Sequence, residues 1–256
     1  MLLVVSPSKT FDFENPPRVR TATMPDHLDR SRALIDELRK LSMEELAALM
    51  KISPELADLN FRRYVSWRED YAAPEAKQAV FLFKGDVFKG LAAETLNEAD
   101  LAFAQEHLRI LSGLYGVLRP LDLMLPYRLE MGTRLVNAAG KNLYAFWGSV
   151  ITDSLNALLA TEEKPVLVNL ASAEYFKSVK GKELKGELIT PVFKDFKNGA
   201  YKVIGFYAKK ARGMMAGYMI RNRLSDVEDL KGFDGDGYAF APELSSEREW
   251  AFTRGA

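Results

Sequence analysis

The 256-residue chain contains no cysteine, which excludes disulfides, thiolate metal ligands and a catalytic thiol together. Histidine is nearly as scarce. His27 and His107 stand 80 positions apart, without the H-x-x-x-H spacing of an imidazole metal site. Both read as surface or helix-face groups, and no metal or other cofactor is expected. No apolar run approaches the roughly 20 residues that span a bilayer, so no membrane partner is expected. Met1 to Val5 is too short for a signal-peptide core and lacks a cationic front, which with the missing disulfide chemistry leads us to expect a cytoplasmic location. Internal repeats, low-complexity tracts and Ser/Gly-rich linkers are also missing.

What the chain does have is apolar mass: 48% hydrophobic and 11% aromatic residues are enough for a sizeable core. Its length is compatible with one large domain, so residues 1–256 are read as a single unit. Charge cancels overall, with 35 basic and 35 acidic residues, yet it is unevenly distributed. Lys177 to Arg223 carries twelve Lys or Arg against three acids, a net of +9, whereas Leu224 onward is net −5 and the first 176 residues net −4. A basic segment in a neutral protein suits a polyanion partner; it is equally what a solvated lysine-rich face looks like.

Leu2 to Val5 predicts a buried strand closed by Ser6-Pro7, and Pro165 to Leu170 a second one buried on both faces. Amphipathic spacing predicts helix over Leu28 to Leu41, and Ser42 with Glu45, Ser53-Pro54 and Asn97 with Asp100 are helix starts. The last of these predicts a helix running through Leu111 into Gly113 and Gly116, and Leu143 to Leu159 predicts one long helix. Ala79 to Phe83 reads as a short strand, Leu188 to Phe193 and Tyr201 to Tyr207 as strands around a hairpin turn at Asn198-Gly199, Ala208 to Leu224 as helix, and Glu249 to Thr253 as a final edge strand. The mixture lacks regular βα alternation. It predicts an α+β fold, one compact domain with a mixed β-sheet and surrounding helices.

Four segments could carry chemistry. Ser6-Pro7-Ser8-Lys9-Thr10 follows the first strand and could turn amides, hydroxyls and an ammonium toward an anion, although it lacks the glycines of a P-loop. Gly113 and Gly116, flanked by Arg109 and Arg119, fit the turn of a helix-hairpin-helix-like element that offers amides to phosphate; a plain helix end fits too, and Pro120 leaves little room for a second helix. Lys209, Lys210 and Arg212 sit where a helix begins, although the helix dipole favours acids there. Asn169, Ser172 and Glu174 lie just beyond the second buried strand, where α/β proteins place ligands, although Ser172 also reads as a helix cap.

These segments, with Phe83-Lys84-Gly85-Asp86-Val87 and Pro126-Tyr127-Arg128-Leu129-Glu130-Met131-Gly132, closely resemble the successive blocks of the YaaA peroxide-stress family, in the family's order from residue 2 to about residue 240. The resemblance implies a bacterial protein of the hydrogen-peroxide response that limits damage from unincorporated iron. It also implies an unusual α+β fold with a helix-hairpin-helix-like element and a basic cleft that binds DNA. The family's basic blocks fall on Lys9, Lys84, Arg109, Arg119, Arg128, Lys209, Lys210 and Arg212.

Two readings stay open at this stage, while a third, direct iron sequestration, is left only an all-carboxylate site by the missing cysteines and the two isolated histidines. In one, a basic cleft holds double-stranded or distorted DNA by its phosphates, with little sequence selectivity because no recognition helix is evident. In the other, the protein is an enzyme acting on a nucleotide or another phosphorylated small molecule, with Lys9, Lys209 and Arg212 on phosphate and Glu130, Glu174 or Asp86 as base. The enzyme reading lacks any histidine or cysteine with an assignable role, and so is the second choice.

Overall fold

The computed structural model of the chain describes residues 1–255 and is built on a mixed sheet of eight strands. In chain order these are β1 (Leu2–Val5), β2 (Leu108–Ser112), β3 (Gly116–Leu118), β4 (Val166–Leu170), β5 (Glu187–Lys197), β6 (Ala200–Lys202), β7 (Ala239–Phe240) and β8 (Glu249–Arg254). Across the sheet the order is β7-β8-β5-β4-β1-β2-β3, with β6 added to β5. The inner pairs β8/β5, β5/β4, β4/β1 and β1/β2 are parallel, and β3, β6 and β7 attach antiparallel.

Strand β1 lies at the centre because its side chains are apolar in both directions, and all four residues are buried. Leu3 and Val4 are fully enclosed, each burial contributing roughly 1.5–3 kcal/mol. Strand β4 has the same character over all five residues. Strand β5, by contrast, alternates in and out along much of its length, as a strand with one wet face does. Asn198 and Gly199, both at positive φ, make the tight turn from β5 to β6 that the dipeptide demands.

Helices cover the sheet: α1 (Leu28–Arg39), α2 (Met43–Met50), α3 (Pro54–Ser66), α4 (Asp86–Leu91), α5 (Glu98–His107), α6 (Leu143–Trp147), α7 (Val150–Leu159), α8 (Ala173–Phe176) and α9 (Gly205–Asn222). The starts at Ser42 and Asn97 are complete capping boxes, and Ser53 caps α3 ahead of Pro54. Five expectations are corrected. Of Tyr201 to Tyr207 only Tyr201 and Lys202 are strand, and α9 begins at Gly205, so Lys209, Lys210 and Arg212 lie past its first turn and not where the helix begins. Leu108 to Ser112 is the parallel strand β2, since α5 stops at His107. Ala79 to Leu82 is a turn of helix between the short strands Lys77–Gln78 and Phe83–Lys84. Residues 143–159 form two helices, broken where Gly148 takes φ +52. Glu249 to Arg254 is not an edge strand, because β7 closes it on its outer side.

Helices α4 and α9 touch backbone to backbone. A Cβ on Gly213 would lie 1.8 Å from the Val87 carbonyl oxygen, and one on Gly90 would lie 2.1 Å from that of Lys210. Neither helix can yield without moving the other, because the obstructing atoms are main chain. We expect Gly213→Ala to destabilise the fold by at least the ~1–3 kcal/mol of ordinary overpacking. A urea unfolding midpoint equal to that of the unsubstituted protein would show that the helices do not approach this closely.

Candidate functional site

Going outward from β1, the chain proceeds to β2 on one side and later to β4 and β5 on the other. The sheet order therefore reverses between β1 and β4, and the gap beyond their carboxyl ends is where open parallel sheets leave a crevice. A cleft of about 650 Å³ occupies that position. Ser6, just past β1, bridges its floor: its hydroxyl accepts from the Ser172 amide at 2.9 Å and reaches the Ser172 hydroxyl at 3.3 Å.

The next residues are held by hydroxyl groups. Ser8 Oγ donates to the Lys84 carbonyl at 2.7 Å and accepts from the Thr10 amide at 3.2 Å, while Thr10 and Phe11 pair antiparallel with Lys84 and Phe83. This ribbon sets Lys9 and Lys84 on one wall. Lys89 on α4 and Lys209 and Arg212 on α9 complete a lining of five cations, and Asp86, Glu130 and Glu174 supply three carboxylates. A second cleft of about 670 Å³, lined by Arg18 and Lys77, adjoins the first across the shared wall of Lys84, Gly85, Phe88 and Lys89.

The cations differ in how they are satisfied. Lys9 pairs with Glu130. Among the described residues, Lys84, Lys89, Lys209 and Arg212 have no Asp or Glu oxygen within the 4.0 Å of an ion pair. The three lysines are exposed, whereas Arg212 is half-buried, and its burial lowers its pKa with no neighbouring acid to offset the effect. Desolvated positive charge without a counter-charge is costly, and an anion would relieve it.

Of the ten positions nominated from the sequence, Lys9, Lys84, Lys209 and Arg212 line the cleft. Arg128 stands behind it, its Nη2 lying 3.6 Å from Glu130 and its Nε buried without a partner. Lys210 faces away, 3.5 Å from Asp236, which also pairs with Arg254 at 2.6 Å. Arg109, Gly113, Gly116 and Arg119 do not line it. Arg109 is 5% exposed and donates to the carbonyls of Gln105 and Leu108 at 2.8 Å. Arg119 clamps Asp26, Asp122 and the Met24 carbonyl.

The glycine turn is a buried β-hairpin between β2 and β3, not a helical hairpin. Its Gly113 and Leu114 carbonyls accept from Trp147 and Ser31, and the Tyr115 amide donates to Ser112 Oγ. Asn169 also turns inward, accepting from the Ala171 amide at 3.0 Å. Ser172 caps α8 weakly, at 3.5 Å from the Tyr175 amide, while lining the cleft.

Lys89 and the second cleft escaped the sequence reading. Lys89 follows Asp86 by one helical turn, a spacing that looks like any exposed helix face, and only the contact with α9 turns it toward Lys209. Among the described residues no three His, Asp or Glu side chains converge as a metal-ligand set, and no helix is long and apolar enough to cross a membrane.

Fold and site define a mixed-sheet α+β protein with a cation-lined groove at the carboxyl ends of its central strands. The sequence pattern described as peroxide stress protein YaaA matches residues 1–244, and the chain belongs to that family. It is 58% identical to a UPF0246 protein of Ralstonia nicotianae over 256 residues, the whole of both chains. It is also 58% identical to a UPF0246 protein of Azoarcus sp. over 258 residues and 56% identical to one of Dechloromonas aromatica over 254, covering 99% of each chain in both cases.

The second cleft is shaped by Asp12. Its carboxylate accepts from the Asn15 and Glu14 amides at 3.0 Å and from the Asn15 side chain at 2.8 Å, while Lys77 holds the Asp12 and Asn15 carbonyls. The Asn15 hydrogen bonds chiefly pull the Asp12 carboxyl down from 3.8 to about 2. A carboxyl depressed in the folded state stabilises it fully above the unfolded pKa, and the contribution fades as pH falls from about 4 toward 2. The stability gap between the unsubstituted protein and Asp12→Asn should therefore be open at pH 6 and narrow steadily below pH 4. Thermal melts showing a constant gap across that range would refute this role.

Proposed function

We propose that the groove binds DNA through its phosphates and that this binding is how the protein limits iron-dependent oxidative damage during peroxide stress. The observation that carries the reading is the gathering of Lys84, Lys89, Lys209 and Arg212, none of them ion-paired, from two helices and a ribbon onto one concave surface. Phosphate contacts position a nucleic acid without reading its bases, so double-stranded and distorted DNA are both accommodated and selectivity for sequence is weak. Successive phosphates meet Lys209, Lys84 and Lys89 along the cleft, whereas Lys77 is held by the Asp12 and Asn15 carbonyls.

Counterion release links this binding to iron. A phosphate neutralised by a lysine sheds its condensed cations, ferrous ion included, so a covered stretch of backbone holds less of the metal that would react with peroxide beside it. Family membership supplies the peroxide-stress setting.

Four unpaired cations meeting four phosphates give a log–log salt slope of about −3.6, at roughly −0.9 per contact. Fluorescence anisotropy on a short duplex should return that value, and the double variant Lys89→Ala/Lys209→Ala should flatten it to about −1.8 with circular dichroism unchanged. Binding that ignores salt, or a double variant with the original slope, would sink the proposal.

A further inference from the structure

The cleft holds more than the cations that a DNA backbone would use. Half-buried Arg212 follows the exposed Lys209 by about one turn of α9, and both line the cleft together with Ser6 and Ser172. Glu174 lines it too, at the surface: its Oε1 accepts from the Gly132 amide at 2.9 Å, fixing the carboxylate and leaving its second oxygen with no hydrogen bond among the described residues. Val87 and Phe88 add apolar surface to the same lining. A phosphodiester chain has no use for a carboxylate held in that place, since like charges repel. A ligand with a phosphate at one end and hydroxyl or amino donors at the other uses both.

Charge and volume agree with such a ligand. Five cations and three carboxylates line the cleft, a net of +2. A phosphomonoester carries about −1.5 to −2 at pH 7, whereas a diester carries a single charge. The roughly 650 Å³ lies within the usual 300–1,000 Å³ of small-molecule sites, and strand ends at a topological reversal are where such ligands bind.

We propose that this cleft holds a subsite for a nucleotide 5′-phosphomonoester, with Arg212 and Lys209 on the phosphate and Glu174 accepting from the sugar hydroxyls. The monoester comes either from a free mononucleotide or from the 5′-phosphorylated end of a nucleic-acid strand. The subsite extends the DNA reading in the second case and stands without it in the first.

Anisotropy with the full-length protein separates the sources. The probes are a 5′-phosphorylated and a 5′-hydroxyl single strand of one sequence, a duplex with hydroxyl ends, and AMP as free ligand and competitor. A charge-assisted contact of ~1.5–3 kcal/mol corresponds to roughly ten- to a hundredfold in affinity. The phosphorylated strand should gain about tenfold over its hydroxyl twin, or AMP should bind and displace it. Arg212→Ala should abolish that gain, Arg212→Lys should keep part of it, and Lys89→Ala should weaken both strands alike. Glu174→Gln should weaken AMP more than inorganic phosphate. Equal affinity for both strands together with no AMP binding would overturn the subsite. AMP binding by a protein that ignores the hydroxyl-ended duplex would overturn the DNA reading and leave the subsite standing.

Discussion

The contact between α4 and α9 is the constraint on which the site depends. Gly90 and Gly213 let two helices far apart in the chain meet through their main chains, at a separation that no side chain would permit. That contact sets the α4 and α9 backbones that carry Lys89, Lys209 and Arg212 side by side, so that the three cations line one cleft. An anion bound there, as proposed, would meet them without any rearrangement of the helices.

Helix α9 divides its charge along its own length. It begins at Gly205, so Lys209, Lys210 and Arg212 lie beyond the first turn, where the helix dipole has little effect, and their neighbours decide how each is satisfied. Lys210 faces Asp236 and the Arg254–Asp195–Tyr238 network. Lys209 and Arg212 line the cleft without an ion pair. One helix thus carries a neutralised face toward β5 and β8 and an unneutralised face toward the cleft.

Much of the scaffold was legible in the residues. Continuous apolar runs identified β1 and β4, paired cap residues identified α2, α3 and α5, and Asn198-Gly199 identified the β5–β6 hairpin, because each signal is local. Strand β2 was hidden because Leu108 and Leu111 continue the helical spacing of Leu101 and Ala104, and only pairing with β1 decides in favour of strand. The place of β8 inside the sheet was hidden for a related reason: a strand's neighbours are set by topology, not by its own residues. The cleft was half legible. Lys9, Lys84, Lys209 and Arg212 stand out at ends of elements, but Lys89 and Arg109 look alike in sequence, and burial alone assigns one to the groove and the other to the framework.

The Gly113–Gly116 hairpin shows why local resemblance to a nucleic-acid element is not enough. To meet a phosphate, its amides would have to leave an interior where Leu114 and Tyr115 are wholly enclosed and where Trp147 and Ser31 bond its carbonyls. Exposing two such side chains would cost ~3–6 kcal/mol before any hydrogen bond was lost, a large share of the ~5–15 kcal/mol that stabilises a typical domain. The groove demands no such opening, since its lysines already face solvent and its arginine already lacks a counter-charge. The proposed phosphate contacts therefore lie at the strand ends, and the glycine hairpin braces β2 beside the strand from which the cleft begins.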